Sequence, residues 1–491
     1  MSSRTRQRII ILVNLLAALL VTSCLCFRSA GDTLPDPTTN EATKAIEPDS
    51  LTPAPFGAQD LLASAGDPYA PELGNSGYDV QSYHIDISLD PASPLITAET
   101  TIEALVTLDN LPEVWLDFIG FEIKKVLVNG AAGRYERVED KLVIQLEAPL
   151  PVGELVTIHV SYHGAPDSEG SIYAPFAPTI GLQFRPPDNI YAASEPDGSR
   201  YWFPSNDHPR DKALFTFEVT VPDGMTGVAN GSLVEVQQDV PAASFRNQLG
   251  DRYIWRHDYP MATYLATVSA GDYVRLEGSS PNGVPLRHYV FPDVRDKFEP
   301  FETSTGEMMD WLADLLTPYP FEAYGYMTVI EMGGALETQT MVALSTDVID
   351  ERYIMHELVH MWFGDWVSLD SWAEIWRNEG FATYFTYLWF FRDDPLGLDA
   401  QMEDLSESLL EDSHQLNNPP PEEMFGWDSY NKGALLVYDL HQTLGDDAFY
   451  KGLRDYFTQY GGGSASDAQF IEVMEQASGR QLDNFFDRWF K

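Results

Sequence analysis

The pattern His356-Glu357-Leu358-Val359-His360 sets two histidines four residues apart with an acid beside the first. On a helix, residues at that spacing stand one above the other on one face, so both rings can turn a nitrogen toward a single Zn²⁺. Glu357 is rotated off that face, where it can meet water beside the metal rather than the metal itself. Eighteen residues separate His360 from Glu379, enough for a loop and the start of a second helix, and this offers a carboxylate as third ligand. Two His and one Glu leave a coordination position open, as in a catalytic rather than a closed structural site, and one Zn²⁺ per chain is expected.

The elements that must hold these groups can be read from periodicity. Met308, Met309, Leu312, Leu315 and Leu316 recur at helical spacing between Phe301 and Pro318, predicting an amphipathic helix. From Glu351 onward the pattern predicts helices to the end of the chain, with Gly461-Gly462-Gly463 as one loop. Upstream, from Tyr78 to about residue 272, alternation in Tyr83-His84-Ile85-Asp86-Ile87-Ser88-Leu89 and in Thr157-Ile158-His159-Val160-Ser161-Tyr162 predicts strands. Asn129-Gly130 and Asn230-Gly231 are expected as turns between such runs, giving an antiparallel β domain. His159 and His163 share a strand face but stand about 13 Å apart, too far for one metal.

Composition narrows the partners. The 491 residues carry 30 Lys and Arg against 75 Asp and Glu, a formal charge of −45, which disfavours nucleic acid because phosphate binding needs clustered cations. Both cysteines, Cys24 and Cys26, lie near the start, so the body of the chain holds no intrachain disulfide. Arg4, Arg6 and Arg8 precede an apolar stretch, Ile9 to Val21, that is short for a membrane span and reads as an export signal. Val21-Thr22-Ser23-Cys24 resembles the bacterial lipobox, which implies a lipidated Cys24 and an outward-facing anchor on a membrane of the bacterial cell envelope. The expected layout is a signal peptide over 1–23, a flexible tether over 24–75, a β domain over 76–272 and a catalytic domain over 273–491.

Four ordered motifs resemble the aminopeptidase N family of zinc metallopeptidases. One is the zinc set itself, the HExxH pattern with Glu379 and its surroundings, Trp376-Arg377-Asn378-Glu379-Gly380-Phe381-Ala382. Gly333-Gly334-Ala335-Leu336-Glu337-Thr338 is similar to the family's GxMEN segment, with Leu336 and Thr338 in place of Met and Asn. Ser194-Glu195-Pro196-Asp197-Gly198 resembles the segment that contributes a second amine-binding acid, and Ser429-Tyr430-Asn431-Lys432-Gly433-Ala434 the one that holds a catalytic tyrosine.

The resemblance implies a saddle-like, sandwich-like antiparallel β domain followed by a thermolysin-like α+β zinc peptidase domain. It also implies removal of N-terminal residues from peptides with a free N-terminus. In that scheme Glu357 is general base, Tyr430 stabilises the oxyanion, Glu195 and Glu337 recognise the α-ammonium, and Gly333 and Gly334 pair with substrate backbone. The chain ends at Phe485-Phe486-Asp487-Arg488-Trp489-Phe490-Lys491, similar to the end of the family's catalytic domain, so a short form with an open cleft is expected. Two other readings stay open: a zinc endopeptidase using the same ligands, and a catalytically silent surface lipoprotein that binds rather than cleaves.

Overall fold

Strand Tyr78–Ser88 shows how alternation builds the β domain: Tyr78, Val80, Tyr83, Ile85 and Ile87 are buried, and a bulge between Val80 and Ser82 shifts the period by one. In the computed structural model, which describes residues 62–241, 249–409 and 413–490, this strand lies inside an eight-stranded sheet. The sheet order is Ser232–Pro241, Leu249–Met261, Ala213–Pro222, Tyr78–Ser88, Ile96–Val106, Leu155–Gly164, Glu122–Val128, Ala131–Ala132. A four-stranded sheet, Thr226–Ala229, Val268–Gly271, Asn189–Ala193, Gly181–Arg185, and a three-stranded one complete the domain.

The sheet departs from the antiparallel expectation at one place, where Tyr78–Ser88 pairs parallel with Ala213–Pro222. Hairpins give antiparallel neighbours, whereas this pair joins strands far apart in sequence, and a crossover can enter in either direction. Asn129-Gly130 forms the expected tight turn, both residues having positive φ (50° and 80°). Asn230-Gly231 does not close a hairpin: it is a corner where the chain leaves the four-stranded sheet and enters the eight-stranded one. His159 and His163 reach separate acids, Glu99 at 3.8 Å and Glu122 at 3.7 Å.

The second half is built on a mixed sheet ordered Val274–Ser279, Pro285–Val290, Tyr326–Val329, Val342–Ser345, Ala335–Leu336, the last being an antiparallel edge strand. Helix α1 (Phe301–Leu315) buries Met308, Met309 and Leu312, as its spacing predicts. Helices α2 (Glu351–His360), α3 (Trp376–Phe390) and α4 (Gly433–Leu444) follow, and α3 packs against both of the others. The signal segment and Cys24 lie outside the described residues, and among the described residues no helix is long and apolar enough to cross a membrane.

The tether expected over 24–75 has to be shortened, because residues 62–75 are fixed in the core. Leu62, Ala70 and Leu73 are buried, and Asn75 Nδ2 donates to Asp117 at 2.8 Å. The Asp67 carboxylate, also buried, meets His208 Nε2 at 3.3 Å and accepts from Ser371 Oγ at 2.7 Å and Trp372 N at 3.1 Å. Burial pushes the Asp67 carboxyl up, but hydrogen bonds from His208, Ser371 and the Tyr69 N–H outweigh it and hold the group at about 2.

Asp67→Ala would take the acceptor away from His208 Nε2, the Ser371 O–H and the Trp372 N–H, a loss of about 2–4 kcal/mol that urea unfolding at neutral pH will read. A carboxyl depressed in the folded state contributes stability above its ordinary value of 3.8 and loses it as pH falls toward about 2. Acid unfolding of the native chain between these values should therefore contain a component that the Asp67→Ala chain lacks.

Candidate active site

The last turn and a half of α2 carries the HExxH residues. Asp350 caps the helix start, its Oδ1 accepting from Arg352 N at 2.9 Å, which satisfies an N–H with no partner inside the helix. At the other end, His360 Nδ1 donates to the Phe363 carbonyl at 3.1 Å, so Nδ1 is committed to that bond and Nε2 faces inward. Glu379 stands in the first turn of α3, with Oε2 at 3.2 Å from His356 Nε2 and 3.6 Å from His360 Nε2. One ligand atom from each of the three lies within 4.8 Å of the others.

Two imidazole nitrogens and one carboxylate oxygen converging in this way fit Zn²⁺. Glu337, Glu357 and His360 form a second convergent triplet, and Glu195, Glu337 and Glu379 a third. The all-carboxylate triplet lacks the nitrogen donors zinc favours and suits an ammonium group better.

Close backbone approach brings Glu379 and Tyr430 into one site. A Cβ on Gly380 would sit 2.7 Å from the Gly433 carbonyl carbon, so α3 and the start of α4 touch with nothing between them. Just ahead of α4, Asp428–Lys432 forms a π-helical turn, and this wider turn presents Tyr430 with its ring stacked on His356, centroids 5.9 Å apart and planes 18° apart. Burial pushes the Tyr430 phenol well up, and Glu379, Glu195 and Glu337 add to it, so the group keeps its proton and can donate.

Glu195 comes from the β domain and Glu337 from the loop after the edge strand Ala335–Leu336. Glu195 Oε1 and Glu337 Oε1 are buried without a hydrogen-bond partner. Burial raises the Glu195 carboxyl well above its usual range, and Glu337 and Glu379 raise it further; Glu337 is also raised, burial again leading. Glu357 is held well above the ordinary value by burial, against the attraction of His360. A divalent cation on the three ligands opposes all of these rises.

Of the two glycines expected to meet substrate backbone, some groups are already used. Gly333 N donates to Ser345 Oγ at 3.2 Å and Gly334 O accepts from Ser345 N at 2.9 Å. That leaves the Gly333 carbonyl and the Gly334 N–H for a ligand, and a Cβ on either residue would meet open space. At Gly333 the backbone itself requires glycine, with φ of 79°.

Residues 304–489 match the model of the peptidase family M1 domain, and residues 79–265 match that of the peptidase M1 N-terminal domain. The chain belongs to peptidase family M1. Its fold is that of the M1 zinc metallopeptidase from Deinococcus radiodurans, with a TM-score of 0.80 and 28% identity over 87% of this chain and 97% of that one. A mutant of that protein bound to a Tyr-Ser-Ala substrate superposes with a TM-score of 0.77 at 27% identity, over 87% of this chain and 97% of the other. Aminopeptidase N of Streptomyces lividans is 25% identical over 84% of this chain and 50% of its own length. Aminopeptidase A of Gloydius brevicauda is 25% identical over 84% of this chain and 46% of its own. The chain thus spans about half the length of the curated relatives it matches.

The M1 site holds one acid that sequence reasoning missed. Asp365 is fully buried five residues beyond His360, and neither carboxylate oxygen has a hydrogen-bond partner. Burial and then Glu337 raise its carboxyl well above the usual range, while Lys212, whose Nζ donates to the Asp365 carbonyl at 2.7 Å, partly offsets this. Nothing in the local pattern separates it from the chain's many solvated acids; only its distance from His360 could have suggested it.

Two measurements check this geometry. Replacing His356, His360 or Glu379 singly with Ala should abolish stoichiometric zinc after dialysis, read by elemental analysis against the parent chain. Gly380→Ala must push the α3 and α4 backbones away from each other, so about 1–3 kcal/mol of stability should be lost in thermal unfolding, together with most activity because Tyr430 moves relative to His356.

Proposed function

We propose that this M1 chain is an exported, lipid-anchored zinc aminopeptidase that removes N-terminal residues from peptides. The observation that carries the exopeptidase reading is the pair of carboxylates with buried, unpartnered oxygens, Glu195 and Glu337, beside the His356, His360 and Glu379 set. A desolvated ammonium is rejected by a site unless it is paired, and the unpartnered oxygens of these two carboxyl groups supply the pairing one residue from the reacting carbonyl.

Zinc held by His356, His360 and Glu379 supplies polarisation of the scissile carbonyl and acidifies water. Glu357 takes a proton from the attacking water on a carboxylate oxygen and then delivers it to the departing amine nitrogen. Burial raises its carboxyl, which strengthens it as a proton acceptor for the first of these steps. Tyr430 Oη donates to the carbonyl oxygen as it turns negative. The Gly334 N–H and Gly333 carbonyl align the substrate backbone. Export and attachment rest on Arg4, Arg6 and Arg8, the apolar run to Val21, and Cys24 in its Val21-Thr22-Ser23-Cys24 setting.

A panel of aminoacyl-p-nitroanilides and their Nα-acetylated counterparts tests the reaction class. Free amines should be cleaved at least about a hundredfold faster; equal rates would remove the amine-binding roles and favour an endopeptidase. Glu357→Gln should lower kcat by about 10²–10⁴-fold with zinc retained, and Tyr430→Phe by about 10²–10³-fold with KM little changed. Incorporation of radiolabelled palmitate that disappears in Cys24→Ala checks the anchor.

A further inference from the structure

Glu337 is followed by a tight turn, Thr338–Met341, in which every residue is fully buried. Met341 N donates to the Thr338 carbonyl at 3.0 Å, and Thr340 has φ of 68°, a left-handed conformation that costs a β-branched residue energy and persists only where the surroundings enforce it. Most of those surroundings belong to the β domain.

Asn230, at the corner where the chain changes sheets, is buried and uses its whole amide. Its Nδ2 donates to the Gln339 carbonyl at 2.8 Å and to the Leu265 carbonyl at 2.9 Å, while Oδ1 accepts from Thr267 N at 2.7 Å. The adjacent Gly231 N donates to Thr340 Oγ1 at 2.9 Å. Gln339 Nε2 donates to His257 Nε2 at 2.6 Å and to the Pro260 carbonyl at 3.3 Å, and His257 Nδ1 faces Glu322 at 3.0 Å. Arg287 of the second sheet closes the ring, donating to the Gly231 carbonyl and to Thr340 Oγ1.

We propose that Asn230 is a positioning residue for Glu337: by holding the Gln339 carbonyl it sets where the Glu337 carboxylate meets the substrate amine, so the β domain fixes exopeptidase selectivity. This rests on the amine-binding reading above. The hydrolytic groups Glu357, His356, His360, Glu379 and Tyr430 sit on helices and the π turn of the second half, and the hydrogen bonds of Asn230, Gly231 and Gln339 given above go to other residues. The two carboxylates that face the amine are both tied to the β domain, Glu195 by its place in the chain and Glu337 through Asn230 and Gly231. Losing the corner therefore loosens amine recognition and leaves the hydrolytic step in place.

The test compares the full-length parent chain with Asn230→Ala, Thr340→Gly and Glu337→Gln on a free aminoacyl-p-nitroanilide and its acetylated form, with zinc content and thermal unfolding alongside. Asn230→Ala should raise KM for the free amine about tenfold, about 1.4 kcal/mol of binding, with kcat within about twofold and acetylated turnover unchanged. Thr340→Gly removes the Oγ1 anchor while glycine accepts the backbone angle, and should shift KM the same way; it decides the matter if Asn230→Ala gives no cooperative melt. A fall in kcat at parental KM, equal loss on both substrates, or parental KM in a folded variant overturns the proposal. If Glu337→Gln also leaves KM unchanged, the amine-binding reading falls with it; if Glu337→Gln raises KM and the other two do not, only the positioning role falls.

Discussion

Five carboxyl groups withdrawn from water, Glu195, Glu337, Glu357, Asp365 and Glu379, share one small volume with two histidines, and the protein supplies too few cations to neutralise them. Like charges that close, out of water, cannot all remain ionised without positive charge among them. Elsewhere several buried acids are paired: Asp117 with Lys141, Asp197 with Arg200, and Asp467 with Arg377 at 3.1 Å. In the site the acids outnumber the cations, and a divalent metal on His356, His360 and Glu379 would offset part of that charge. The same requirement explains the orphaned oxygens of Glu195 and Glu337, which are costly in a resting protein unless a ligand uses them.

Holding such a cluster needs stiff supports that approach closely. The Gly380–Gly433 contact lets α3 and α4 cross backbone to backbone, so Glu379 and Tyr430, 51 residues apart, both reach His356. The segment from 62 to 75 reinforces the entry to α3, because Asp67 holds the Ser371-Trp372 step one turn before that helix starts. Around Glu337 the support is of another kind, a polar corner that crosses from one domain to the other. Rigid helices hold His356, Glu357, His360 and Glu379, while an interdomain clamp holds the turn that follows Glu337.

The legible features of this protein were those governed by local rules. The spacing of His356, Glu357 and His360, the start of a second helix at Glu379, the apolar face of Phe301–Leu315 and the Asn129-Gly130 turn depend on helix and hairpin periods that act over a few residues. The partners of Asn230 and Asp67 were not legible. Asn230-Gly231 carries the same local signal as a hairpin turn, yet its function in the fold is set by Gln339, 109 residues away. Residues 62–75 lack periodicity and resemble a tether by composition, but Asp67 is bound by groups 141 and 304 residues distant.

The sequence by itself determined which atoms can ligate a metal and accept a proton, because those properties travel with residue type and short-range spacing. Tertiary structure alone decided that Glu195, Glu337 and Asp365 lie among the zinc residues, withdrawn from water, instead of in solvent with most of the chain's 75 acids. Burial and long-range neighbours turn a carboxylate from a solvated surface charge into one that needs a cation, and neither is encoded in any local pattern.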